Sequence, residues 1–108
     1  MEAKLFEQDG VTILQVAGEI NISTSPDLRK MFEKNAGKKL VVDLAKVNYI
    51  DSSGLATLVE MLKKMKSQGG SLGLAGMSEK VKSLFEITKL DKLFLVYNTQ
   101  AEAVSRAK

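Results

Sequence analysis

Cysteine and histidine are both absent from this chain of 108 residues. Without cysteine there is no disulfide framework and no thiolate nucleophile. Without histidine the commonest general base and the commonest metal ligand are missing. No apolar stretch approaches the roughly eighteen residues of a membrane span. Met1-Glu2-Ala3-Lys4 does not begin the apolar region of a signal peptide. Neither the glycine–lysine pattern of a phosphate-binding loop nor G-x-G-x-x-G occurs. A large excess of one charge is missing too, with sixteen basic residues against thirteen acidic ones and a net charge of +3. The basic residues are spread along the chain, whereas a DNA-binding domain gathers them on one face. There is no internal repeat, linker or low-complexity segment. The chain therefore reads as one cytoplasmic domain over residues 1–108, monomeric, with no cofactor, no metal and no direct contact with nucleic acid or membrane. At this length about 65% of the unfolded surface is buried, enough for one layered core.

What is present is a regular alternation of strand and helix patterns. Lys4 to Gln8 and Val11 to Ala17 flank Asp9-Gly10, a strong hairpin signal. The second run is apolar on both faces except at Thr12 and Gln15, which suits an interior strand, and Gly18 is expected to break it. Glu19 to Thr24 reads as a loop. Ser25-Pro26 reads as an N-cap followed by proline at the first helical position, with Leu28, Met31 and Phe32 at helical spacing and Gly37 as the stop. Leu40 to Leu44 is the next apolar run; its Asp43 is expected near an end or facing a polar contact. Leu55, Leu58, Val59, Leu62 and Met65 line one helix face. Lys63, Lys64 and Lys66 follow near its end as a solvated face, and Gly69-Gly70 terminates it. Ser71 to Ala75 is a short strand. Ser78 caps a helix carrying Val81, Leu84 and Phe85. Leu93 to Tyr97 is the last strand, and Thr99-Gln100-Ala101-Glu102 is a capping box opening a final helix.

The order β-β-α-β-α-β-α-β-α predicts an α/β domain, its sheet mostly parallel with an antiparallel first strand. Ile13, Val41, Leu58, Leu62, Leu84 and Val96 are the expected core.

Between the Leu40 run and the long helix lies Asp51-Ser52-Ser53-Gly54, where a strand hands over to a helix N-terminus. Ligands and partners meet open α/β sheets at that edge, and the free amide groups of the helix start favour negative charge. These residues argue against catalysis at Ser52. A nucleophile elbow needs glycine where Ile50 stands, and the position three after Ser52 is Leu55 rather than a lysine base. Asp43 and Asp51 alone do not make a metal site. Read most simply, the motif is a helix cap. Two serines and an aspartate exceed what one cap needs, however, and Gly54 gives up helix propensity unless something approaches the backbone closely.

Val41-Val42-Asp43-Leu44, Tyr49-Ile50 and Asp51-Ser52-Ser53-Gly54-Leu55 together resemble the core motif of the STAS-domain anti-sigma-factor antagonists, the bacterial anti-anti-sigma factors. Ala17-Gly18-Glu19-Ile20 is similar to the end of that family's second strand, with Asn21 where the family usually has an acidic residue. Leu90-Asp91-Lys92-Leu93-Phe94 is similar to its late leucine-rich connection. The resemblance implies a STAS-like fold and a partner switch. The unmodified protein binds an anti-sigma factor that is also a serine kinase, and the sigma factor is released. The kinase phosphorylates the serine that corresponds to Ser52, binding is lost, and a serine phosphatase resets the switch. The partner surface implied comprises Asp51, Ser53, Gly54 and Leu55 with Glu19, Asn21 and Ser23, whose loop shares the edge of the sheet with Ser52. Ser53 is expected to act as a cap rather than a second phosphosite. The alternative within the resemblance is a STAS subunit of a lipid-transport ATPase or a stress-complex scaffold.

Overall fold

The computed structural model describes residues 1–107. The chain begins as a β-hairpin. Strands β1 (Glu2–Gln8) and β2 (Val11–Ile20) pair antiparallel, with Gln8 opposite Val11. Asp9 and Gly10 both have positive φ, 53° and 79°, the geometry of the two-residue turns whose twist matches paired strands. Helix α1 (Ser25–Lys34), strand β3 (Lys39–Ile50), helix α2 (Ser52–Ser67), strand β4 (Ser71–Ala75), helix α3 (Glu79–Ile87), strand β5 (Leu95–Tyr97) and helix α4 (Gln100–Ala107) follow. A short 3-10 turn, Leu90–Lys92, precedes β5. The five strands form one sheet in sequence order, parallel throughout except for β1. This is the predicted α/β order.

Among the described residues, three helices cover one face and one helix covers the other. Leu40, Val42 and Leu44 of β3 point to the face under α1, α2 and α3, where Phe32, Leu58, Met61 and Phe85 are fully buried. Val41 points the other way with Val11, Ile13 and Ala75, against Ala103 and Val104 of α4. The period of two along β3 thus serves two cores, which is why Leu40, Val41 and Val42 are apolar in succession. Ile13, Val41, Leu58 and Leu62 are buried as expected. Leu84 and Val96 are only half-buried, because Leu84 faces an open cleft and Val96 lies on the short edge strand. On α2 the buried stripe takes in Met61 and leaves Val59 half-buried.

Both strands that lead to the site are longer than expected. Gly18 does not break β2, and Glu19 and Ile20 belong to the strand rather than to a loop. Gly18 has a φ of +98°, and the pairing with β3 shifts on either side of it: Gln15 lies opposite Asp43, Ala17 opposite Lys46, Gly18 opposite Val47 and Glu19 opposite Tyr49. Each shift places an extra residue on β3, so the ladder runs on through two bulges instead of ending. β3 likewise continues to Ile50, well past Leu44. Its pairing with β4 stops at Asp43 opposite Ala75. Asp43 therefore sits at the end of that ladder, where its Oδ1 accepts the Ala45 N–H at 2.9 Å. Beyond it, β2 and β3 project as a two-stranded ribbon.

Two further expectations are corrected. The N-cap of α1 is Thr24, and Ser25 is the first helical residue. Ser25 turns its hydroxyl back to donate to the Asn21 carbonyl at 2.7 Å, because the tight turn at Asn21 already supplies the acceptors. The last strand begins at Leu95 rather than Leu93. Phe94 leaves the strand line to pack edge-on against Phe85, with ring centroids 5.8 Å apart. The cap at Ser78 forms as predicted, and the Thr99 hydroxyl makes its half of the capping box. Ser78 accepts the Val81 N–H at 3.3 Å, and Thr99 accepts the Glu102 N–H at 3.1 Å.

Candidate functional site

The site stands at the tip of the β2–β3 ribbon, where β3 passes into α2. Asp51 is the hinge residue. Its backbone is extended, and its N–H donates to the Ile20 carbonyl at 3.0 Å, continuing the strand pairing by one bond. Its carboxylate faces two ways. Oδ1 accepts the Gly54 N–H at 2.9 Å and caps α2, while Oδ2 accepts the Ile22 N–H at 3.2 Å from the neighbouring loop. One side chain thus locks the helix start to the loop after β2. Carboxylate acceptors make the stronger kind of hydrogen bond, and a negative charge at a helix N-terminus is favourable.

The serine pair divides. Ser52 is the first residue of α2 and is exposed; Ser53 is half-buried. The cap belongs to Asp51, so Ser53 does not cap the helix as expected. Its backbone carbonyl accepts the Thr57 hydroxyl at 3.0 Å. At the start of α2 the amides of Ser52 and Ser53 have no acceptor within the helix.

Gly54 and Leu55 are the buried side of the motif. A Cβ on Gly54 would stand 2.7 Å from Cγ2 of Ile50 and 2.8 Å from Cγ2 of Ile20. The close approach that the glycine permits is therefore that of the two strand ends, and it lets α2 sit directly on them. Leu55 is 8% exposed and belongs to the core.

The loop residues gather beside the motif, as the parallel arrangement predicts. Asn21 organises them: its Oδ1 accepts the Ser23 and Thr24 N–H groups at 2.9 and 3.2 Å, and its Nδ2 donates to Glu19 at 3.3 Å. The Thr24 hydroxyl accepts the Asn21 N–H at 2.8 Å and donates to the Glu19 carbonyl at 3.0 Å. Amide side chains of this kind stabilise turns by mimicking backbone acceptors. Glu19 and Ser23 remain exposed, and Ile22 stands 73% exposed next to Asp51.

One part of the site was not expected from the sequence. Beside Ser52 lies a cleft of about 340 Å3 between the tip of β3, the start of α2 and helix α3. Tyr49, Leu55 and Leu84 give it an apolar lining, Thr88 also lines it, and Lys80 stands over the Tyr49 ring, 5.9 Å from its centroid. No sequence signal marked it: neither Lys80 nor Thr88 belongs to a motif, and the strand order alone does not dictate that the β4–β5 crossover helix lies against β3. Asp43 lies back along the ladder, and among the described residues no group of three or more carboxylates, histidines or cysteines could hold a metal. No described helix is long and apolar enough to cross a membrane.

Comparison with known proteins decides the family. The STAS domain matches residues 2–103. This chain is a member of the STAS-domain family of anti-sigma-factor antagonists. An anti-sigma-B factor antagonist of Listeria monocytogenes is 33% identical over 105 residues, covering 94% of this chain and 91% of the relative. An anti-sigma-B factor antagonist of Bacillus subtilis is 42% identical over 79 residues, 71% of this chain and 72% of the relative. The crystal structure of an anti-sigma factor antagonist from Mycobacterium paratuberculosis superposes with a TM-score of 0.89 at 28% identity, over 98% of this chain and 92% of that one. Among the described residues this member has a five-stranded sheet with one antiparallel strand and four α-helices.

Proposed function

We propose that this protein is the phosphorylatable element of a bacterial partner switch. In its unmodified form it binds an anti-sigma factor that is also a serine kinase, and thereby frees the sigma factor. Phosphorylation of Ser52 by that kinase ends the complex, and a serine phosphatase restores it. The protein acts by binding and not by catalysis, as a cytoplasmic monomer between encounters.

The observation that carries this reading is the placement of Ser52. It is the exposed serine of the motif, on the first turn of α2, beside an Asp51 whose two oxygens are already committed to the fold. Relatives that are 33% and 42% identical over the matched residues are antagonists of anti-sigma factors. Phosphorylation adds about −1.5 to −2 charges at neutral pH. Next to the fixed Asp51 carboxylate that charge concentrates negative charge and hydration on the surface without requiring the fold to move. The partner face comprises Ser52, Asp51 and Ser53, with Glu19, Asn21 and Ser23 alongside; Gly54 and Leu55 serve from beneath by fixing the position of α2.

Incubation with the cognate anti-sigma kinase and ATP, followed by mass-spectrometric site mapping, tests the proposal. Phosphate on Ser52 and loss of the complex are expected. No phosphate on any residue would move the assignment to the scaffold or transporter-subunit role.

A further inference from the structure

We propose that Lys80 is the cation that receives the phosphoryl group on Ser52. This rests on the reading of Ser52 as the modified residue. Kinase chemistry there forms the Oγ–P bond, breaks the bond from the γ-phosphorus of a nucleoside triphosphate to its bridging oxygen, releases the diphosphate and passes the hydroxyl proton to a kinase base or to solvent. The product is a dianion on the cleft whose lining Ser52 shares with Lys80.

Three features of Lys80 fit that role. First, it has no ionic partner: among the described residues the ion pairs are Arg29 with Glu60 and Lys64 with Glu33, and no carboxylate reaches Lys80. Second, its ammonium rests over the Tyr49 ring at 5.9 Å, close to the outer limit of a cation–π contact, so a phosphate competes for it readily. Third, it is the second residue of α3, where the helix dipole disfavours a cation and an arriving anion offsets that cost. A flexible four-carbon stem lets the ammonium leave the ring and turn to Ser52. The ion pair then ties α3 to the start of α2 across a cleft whose lining includes Leu55 and Leu84. Of the residues lining this cleft, Tyr49, Asp51 and Lys80 are titratable. Asp51 opposes the second ionisation of the phosphate, and Lys80 favours it.

The test uses the full chain with phosphoserine installed at position 52 during translation, so that no kinase is needed. Phosphorus NMR then follows the phosphate through its second ionisation, near pH 6 for phosphoserine. The midpoint in the parent chain is expected to lie about 0.5 units below that of Lys80→Met, with Lys80→Arg close to the parent. Thermal melts of the three unmodified chains check that the substitutions leave the fold intact, which an exposed side chain permits. Equal midpoints in the parent and Lys80→Met would overturn the role of Lys80 while leaving Ser52 as the phosphosite. A kinase that fails to modify Ser52 would instead overturn the switch and leave the titration result standing.

Discussion

Gly54 lies so close to Ile20 that a Cβ on the glycine would stand 2.8 Å from the Ile20 carbonyl oxygen. That oxygen already accepts the Asp51 N–H. The contact joins the start of α2 to the end of β2, and it is why the serine of the motif has a fixed position relative to the Asn21 loop.

Gly54→Ala follows from this contact. Alanine improves helix propensity by about 1 kcal/mol. Against that, a methyl group here must displace Ile20, Ile50 or the helix itself, and overpacking of this kind costs about 1–3 kcal/mol. One of the crowded atoms is a backbone oxygen whose movement strains the bond to Asp51, so the loss should win. A net destabilisation of up to about 2 kcal/mol is expected in urea titration. A gain in stability would mean that α2 seats further from the strand ends.

Asp51 separates two roles by substitution. Asp51→Ala removes the cap of α2 and the acceptor for Ile22, and should cost about 1–2 kcal/mol. Asp51→Asn keeps an acceptor for Gly54 but turns an amide NH2 toward the Ile22 N–H, so it should cost less than about 1 kcal/mol. If Asp51 also serves recognition, Asp51→Asn should slow phosphorylation far more than its mild effect on stability explains. Equal phosphorylation rates for the parent chain and the Asp51→Asn variant, measured under kinase excess, would confine the residue to its structural duty.

The core makes its own comparison. Leu62, on the buried face of α2, is 6% exposed. Leu62→Ala should cost about 2–4 kcal/mol. Leu84 is half-buried on the wall of the cleft, so Leu84→Ala leaves part of the cavity open to water and should cost roughly 1–2 kcal/mol. Chemical denaturation of both variants checks the order; a Leu84 effect equal to that of Leu62 would mean that the cleft is closed in solution.

Most of the frame was legible because periodicity and caps decide it locally. Asp9-Gly10, Ser78 and Thr99 each do what their residue type and spacing predict, and the apolar steps from Leu55 to Met65 fix the face of α2. The misreadings fall where tertiary pairing overrides a local signal. Gly18 looks like a stop, yet β3 supplies the extra residues that let β2 pass it as a bulge. Glu19 and Ile20 look like loop, yet their partners Tyr49 and Ile50 hold them in the ladder. The site was legible as a motif but not as a surface. Asp51, Ser52 and the Asn21 loop meet because parallel neighbours end on the same edge, whereas the cleft and Lys80 depend on how α3 lies across β3, which no spacing in the sequence encodes.

The serine pair allows the sharpest test of function. Ser52 is exposed at the first position of α2, whereas Ser53 is half-buried one step on and plays no part in the cap. Ser52→Ala should therefore abolish phosphorylation and leave the protein bound to the anti-sigma factor. Ser52→Asp should bind that partner poorly, because it sets a permanent charge beside Asp51. Ser53→Ala should still be phosphorylated, and with the cap supplied by Asp51 its stability should change by less than about 0.5 kcal/mol. Site mapping after incubation with kinase and ATP, paired with a binding assay on the same variants, decides among these. Phosphate on Ser53, Ser23 or Thr24 would transfer the switch to another residue of the same edge. Phosphorylation of Ser52 without any change in binding would leave the modification real and sink its role as the switch.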